Sequence, residues 1–203
     1  MSMIQSCKEN LIPYLDEMRR AGQHTAETNI EEGFTVGVKP DGTTTLEKAV
    51  GDHLGVNVPR PVDTPFLNFH THGSNDLAMG LSAGDTQYSY FRAGIYPFHC
   101  VASTGYNKIY CYRPHDVINH PDYPKVFAEQ VDLSLEHAKT TFKKCPSHRH
   151  KISDLLGHNQ IRELIKYERR YCPDAAKIMM KMTITWNDFI SKTKCAEFSM
   201  KGD

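Results

Sequence analysis

Two histidines one residue apart, His70 and His72, end a short apolar run, Phe66-Leu67-Asn68-Phe69. A serine and an aspartate three residues apart, Ser82 and Asp85, lie just downstream. In an extended segment residues i and i+2 point to the same side, so the two imidazoles aim at one point. A metal ion needs that convergence. Asp85 supplies a third ligand, and a fourth position left to water is the arrangement of catalytic rather than structural zinc. Asp76, in the loop after His72, is a rival carboxylate ligand. Upstream stand Glu31 and Glu32. A glutamate beside a zinc-held water is a competent general base at neutral pH. Adjacent strand residues face opposite sides, so only one of the two can serve.

These residues need elements to hold them. Ser6 and Glu9 have the form of a capping box, and Leu11, Leu15 and Met18 follow at helical spacing. Pro13 kinks or delays that helix, and Gly22 is its expected end. Residues 31–38 read as a strand with Phe34, Val36 and Val38 on one face. Pro40-Asp41-Gly42 then turns the chain into a second strand over 43–50. The three prolines between Gly51 and Pro65 make that stretch a surface loop. Residues 65–69 form the strand that delivers the histidines, and the small residues of Gly73–Gly80 form a loop. Ser82 caps a helix running from Ala83 to Phe91, with Asp85 in its first turn. A second hairpin follows, over 97–103 and 108–113. The order is helix, two strands, strand, helix, two strands, which is an α/β or α+β sandwich with no internal repeat.

After Pro114 the pattern turns helical. Phe127, Val131, Leu135, Ala138 and Phe142 mark one helix. Ile152, Leu155, Leu156, Leu164 and Ile165 mark another, broken near Gly157. A third, opened by Pro173, carries Met179, Met182, Trp186 and Ile190, a stripe that reads as core. The division expected is a domain over 1–114 and a helical C-terminal extension over 115–203.

The whole chain has 203 residues, 39% hydrophobic and 24% charged, with no net charge. That composition suits a packed core. The charges are unevenly placed: residues 1–134 hold 10 basic against 16 acidic side chains, and residues 135–203 hold 14 against 8. The basic residues of the second part recur along helices among acids. They read as a solvated helical face rather than a nucleic-acid surface. No apolar run is long enough to cross a membrane, and residues 1–20 lack the pattern of a signal peptide, so an intracellular, cytoplasmic location is expected. On that footing the six scattered cysteines read as free thiols, with Cys100 and Cys111 in adjacent core strands. Cys145, His148 and His150 could hold a second zinc but lack a fourth ligand, and they read as a basic exposed turn. His99, with the remaining histidines, shows no ligand spacing.

Taken together, Glu31-x-Gly-Phe, His70-Thr-His72 and Ser82-Ala-Gly-Asp85 resemble the JAMM/MPN (JAB-like) metalloprotease family, over roughly residues 5–114. Gly73 stands where that family usually has proline. The nine residues from Gly73 to Leu81 are two more than usual, so the loop must bulge. The resemblance implies a cytidine-deaminase-like sandwich of a mixed β-sheet with flanking helices. It also implies Zn²⁺ held by His70, His72 and Asp85, with Glu31 as general base and Ser82 as hydrogen-bond donor to the developing oxyanion. The implied activity is that of an isopeptidase or peptidase acting on ubiquitin-like or related peptide conjugates. Its substrate tail binds extended, with Gly51–Pro65 and Gly73–Gly80 as candidate contacts.

The competing reading is a non-catalytic MPN-like scaffold, against which the presence of all five residues argues. An amidohydrolase-like barrel, where His-x-His also ends a strand, needs eight strand–helix units and ~250 residues.

Overall fold

The computed structural model describes residues 3–53, 55–74, 76–86, 96–157 and 160–202. It is a mixed α/β structure whose described residues form seven α-helices and one six-stranded mixed sheet. The chain opens with α1 (Met3–Leu11), a 3₁₀ turn at Ile12–Tyr14 and α2 (Leu15–Thr28). Pro13 sits in the first turn of the 3₁₀ segment, where its missing N–H costs nothing. The strands are β1 (Glu32–Val38), β2 (Thr44–Val50), β3 (Thr64–His72), β4 (Phe98–Ser103) and β5 (Lys108–Tyr112). Helices α3 (Pro114–Ile118), α4 (Tyr123–Lys144), α5 (Arg149–Gly157), α6 (Ile161–Tyr171) and α7 (Pro173–Thr193) come next. A last strand, β6 (Ala196–Ser199), returns to the sheet.

The spatial order is β2-β1-β3-β4-β5-β6, with β3 and β4 parallel at the centre and the other pairs antiparallel. Strand alternation then sorts the side chains. Phe34, Val36, Leu67, Phe69, Cys100, Ala102, Ile109 and Cys111 pack with Leu11, Met18 and Ala21 from the first two helices. The Phe34 and Phe69 rings stack at 4.8 Å. The opposite face carries Val101, Tyr110 and Tyr112, which pack with Leu81 and with Trp186, Phe189 and Ile190 of α7.

Several expectations change here. The first helix begins before Ser6, so Ser6 and Glu9 lie inside it and make no capping box. Gly22 does not end a helix either: it lies within α2, which runs to Thr28, with Asn29 in the left-handed conformation at φ 56°. Gly22 faces the sheet instead: a Cβ there would lie 2.8 Å from Met200 Cε and 3.2 Å from Ala102 Cβ. The missing side chain lets the helix approach closely. Strands do not cease at Pro114, because β6 pairs with β5. The cysteines are not free thiols: Cys7–Cys195, Cys100–Cys111 and Cys145–Cys172 are joined as disulfides. Cys100 and Cys111 are direct partners in the β4–β5 register. Residues 83–86 are helical, while the remainder of the helix expected to Phe91 lies outside the described residues. No described helix is long and apolar enough to cross a membrane.

Candidate metal centre

The apolar half of β3 anchors its polar end. Leu67 and Phe69 are buried in the core against the first helices, which turns Asn68, His70 and His72 to the other face. Thr71, between the two histidines, is pinned from behind: its hydroxyl lies 2.7 Å from Thr25 Oγ1 of α2 and accepts from the Glu32 backbone N–H at 2.9 Å. The strand end therefore cannot rotate without breaking buried hydrogen bonds.

His70 Nε2 and His72 Nε2 face one another at 3.0 Å. Asp85 Oδ1 lies 3.4 Å from His70 Nε2, and Asp85 Oδ2 lies 3.3 Å from His72 Nε2. The donor atoms of His70, His72 and Asp85 all fall within 4.8 Å of one another. A tetrahedral ion with ligands at ~2.0–2.1 Å has edges of roughly 3.3–3.4 Å, so the three groups fit a zinc ion. Asp76 does not join them. Its Oδ2 lies 3.3 Å from His72 Nδ1, the far side of the ring, and its Oδ1 accepts from the Ala78 N–H. It stands behind the His72 ring, away from the convergence point, as an ion contact that makes no hydrogen bond to His72 Nδ1.

The two glutamates separate as strand alternation requires. Glu32 points to the helix side, where it pairs with Arg20 at 2.6 Å and His24 at 2.8 Å. Glu31 lines the same cleft as His70, His72 and Asp85. Its backbone is held on both sides, donating to Asp52 O and accepting from the Gly51 N–H.

Ser82 and Asp85 bond reciprocally. The Asp85 N–H donates to Ser82 Oγ at 3.0 Å, and the Ser82 N–H donates to Asp85 Oδ2 at 2.8 Å. This capping box fixes the carboxylate and leaves the Ser82 hydroxyl proton available to a ligand. The loop before it, Gly73–Leu81, is held largely by side chains from elsewhere. Asn187 of α7 accepts from the Met79 N–H and donates to Leu77 O, Trp186 Nε1 donates to Leu81 O, and Tyr106 Oη donates to Leu77 O. α7 and Tyr106 thus hold the loop that carries Asp76 and leads into Asp85. Gly73 has its own cause: a Cβ there would meet Asn29 Oδ1 at 2.7 Å.

The cleft has a volume of about 550 Å³. One wall is the stretch Gly55–Val58, the other is Ser82–Asp85, and Gln160 and Ile161 at the start of α6 also line it. It lies over one face of the central strands, lined there by Asn68, His70 and His72 of β3 and by His99 of β4. Burial lowers the affinity of His72 for a proton, but the Asp76, Asp85 and Glu31 carboxylates outweigh it and raise its pKa to about 10. Burial would raise Asp85, yet His70 and His72 hold it well below the usual carboxylate range. Glu31 is raised, chiefly by burial; the two imidazoles oppose that shift, and Asp76 and Asp85 add to it. Three carboxylates around two imidazoles make a cavity that calls for a cation, whether protons or a metal.

Sequence reasoning missed His99, whose Nε2 lies 3.1 Å from His70 Nδ1. No local spacing marks it. The Cys145, His148, His150 cluster is not a second metal centre, because Cys145 is bonded to Cys172 and His148 Nδ1 meets Tyr167 Oη at 2.7 Å. No protein-family model, curated protein or solved structure matches the chain.

Proposed function

We propose that the protein is a zinc-dependent metallohydrolase of the JAMM/MPN (JAB-like) type. In this reading it has that family's sandwich fold and acts as an isopeptidase or peptidase on ubiquitin-like or related peptide conjugates. The observation that carries the reading is the convergence of His70 Nε2, His72 Nε2 and the Asp85 carboxylate in a cleft that Glu31 also lines. His70, His72 and Asp85 would hold the zinc. When bound, it supplies Lewis acidity and lowers the pKa of a water toward ~7.

The protein's own groups then divide the work. Glu31 accepts the proton of the water that attacks the scissile carbonyl carbon. Its raised proton affinity suits that task, since an effective base has a pKa near the working pH. As the C–N bond breaks, Glu31 returns the proton to the leaving amine nitrogen. Ser82, whose oxygen already accepts from the Asp85 N–H, donates a hydrogen bond from its hydroxyl to the carbonyl oxygen as charge develops there. The loop Gly55–Val58 and the start of α6 flank the space a substrate chain must enter.

The test is metal analysis of the purified protein together with cleavage of ubiquitin-like fusions. One zinc per chain, and hydrolysis that vanishes in Glu31→Gln while zinc is retained, is the expected result. A folded protein that takes up no zinc overturns the reading and favours a scaffold.

A further inference from the structure

β4 runs parallel to β3, and its register sets His99 beside Asn68 and Val101 beside His70. Alternation turns His99 to the cleft face, where it is buried and meets the rear of the His70 ring rather than the convergence point. His70 has two ring nitrogens. Nε2 faces His72 and Asp85; Nδ1 lies 3.1 Å from His99 Nε2. A neutral imidazole that coordinates through Nε2 must carry its proton on Nδ1. That proton then needs an acceptor, and His99 Nε2 is in place to be one.

We propose that His99 is a positioning residue for the metal centre: its Nε2 accepts a hydrogen bond from the His70 Nδ1–H and so fixes the tautomer and ring plane in which His70 presents Nε2. This rests on the zinc reading above. The two ligand histidines are backed by unlike groups, an aspartate behind His72 and a neutral imidazole behind His70. The choice has an electrostatic reason. Glu31, Asp76 and Asp85 already bring three carboxylates to the cavity, one more than a divalent ion balances, and a fourth behind His70 would enlarge that excess. An imidazole orients its neighbour without adding charge.

The experiment measures zinc affinity by chelator competition in wild type, His99→Phe and His99→Gln, with thermal unfolding of each metal-free form as the folding control. It also records long-range nitrogen–proton spectra of the zinc-loaded wild type. Loss of an outer-shell partner of this kind costs about 10–100-fold in metal affinity. That loss is expected for His99→Phe, and a smaller one for His99→Gln, whose amide oxygen can still accept. The spectra should show His70 protonated at Nδ1 in the loaded protein. Wild-type affinity in both variants, or a His70 proton absent from Nδ1, overturns the proposal while leaving the zinc reading intact. A wild type that binds no zinc overturns both. If His99→Phe does not fold, the glutamine variant and the wild-type spectra decide.

Discussion

The molecule brings buried imidazoles to carboxylates in two contrasting ways. Between α4 and α6, His137 Nε2 meets Glu168 Oε1 at 2.6 Å, one ring facing one carboxylate, with Glu168 fully buried. At the end of β3, His70 and His72 point the same nitrogen at each other and share one carboxylate. The first arrangement is a single pair through Oε1, with Glu168 Oε2 left without a hydrogen-bond partner among the described residues. The second converges like groups on a common centre, which is useful only if something occupies that centre. Burying a histidine and an acid together says little about function; whether the donor atoms pair off or converge says a good deal.

The contrast is broken most directly by Asp85→Asn and His72→Ala. Each should weaken zinc binding by more than the ~10–100-fold that an outer partner costs, and abolish hydrolysis. Equilibrium dialysis against zinc checks this. The same measurement on His137→Ala should show unchanged stoichiometry. Next comes Glu31→Gln, with zinc retained and hydrolysis reduced about 10²–10⁴-fold, the range for loss of a general base. Because Glu31 is raised in the folded protein, it stays protonated to higher pH than an ordinary glutamate. In the metal-free protein, Glu31 titration followed by its carboxyl-carbon chemical shift should therefore fall above the usual carboxylate range. The linkage has the matching sign: stability tied to neutral Glu31 is present in acid and is lost as pH rises through its folded pKa. Metal-free Glu31→Gln should thus melt higher than wild type at neutral pH.

His137→Ala reads the other arm. Breaking a buried pair strands the remaining group, a loss of about 3–5 kcal/mol by denaturant titration. The smallest effect is expected from Asn187→Ala, which strands the Met79 N–H and leaves Leu77 O with the Tyr106 hydroxyl alone. It should cost about 1–3 kcal/mol. A concurrent fall in zinc affinity would show that α7 holds the Asp85 loop in place for the metal. Unchanged affinity would confine α7 to packing.

What could be read in the sequence is what is local. His70 and His72 share a face because a strand has period two, and Ser82 bonds Asp85 because three residues span the first turn of a helix. The choice between Glu31 and Glu32 could be posed from alternation, but only the placement of α2, with Arg20 and His24, shows which side is which. His99 was not legible because its position beside His70 depends on parallel pairing of strands separated by the chain between β3 and β4. The grip of α7 on Gly73–Leu81 spans over a hundred residues. Gly22 was misread for a related reason: a helix-ending residue and a close-packing residue look the same until the sheet beneath is known. The three cysteine pairs join residues 11, 27 and 188 apart, which no spacing pattern announces.

On the zinc reading proposed above, the 3.0 Å approach of the two Nε2 atoms would also tie ligand supply to protein lifetime. A cation that binds this folded pocket and not the open chain adds about 2.7 kcal/mol to folding at a hundred times its dissociation constant. An increment of that size changes the steady-state population exposed to degradation several-fold. On that reading the amount of folded protein should track the free metal available to it, with no dedicated sensor required.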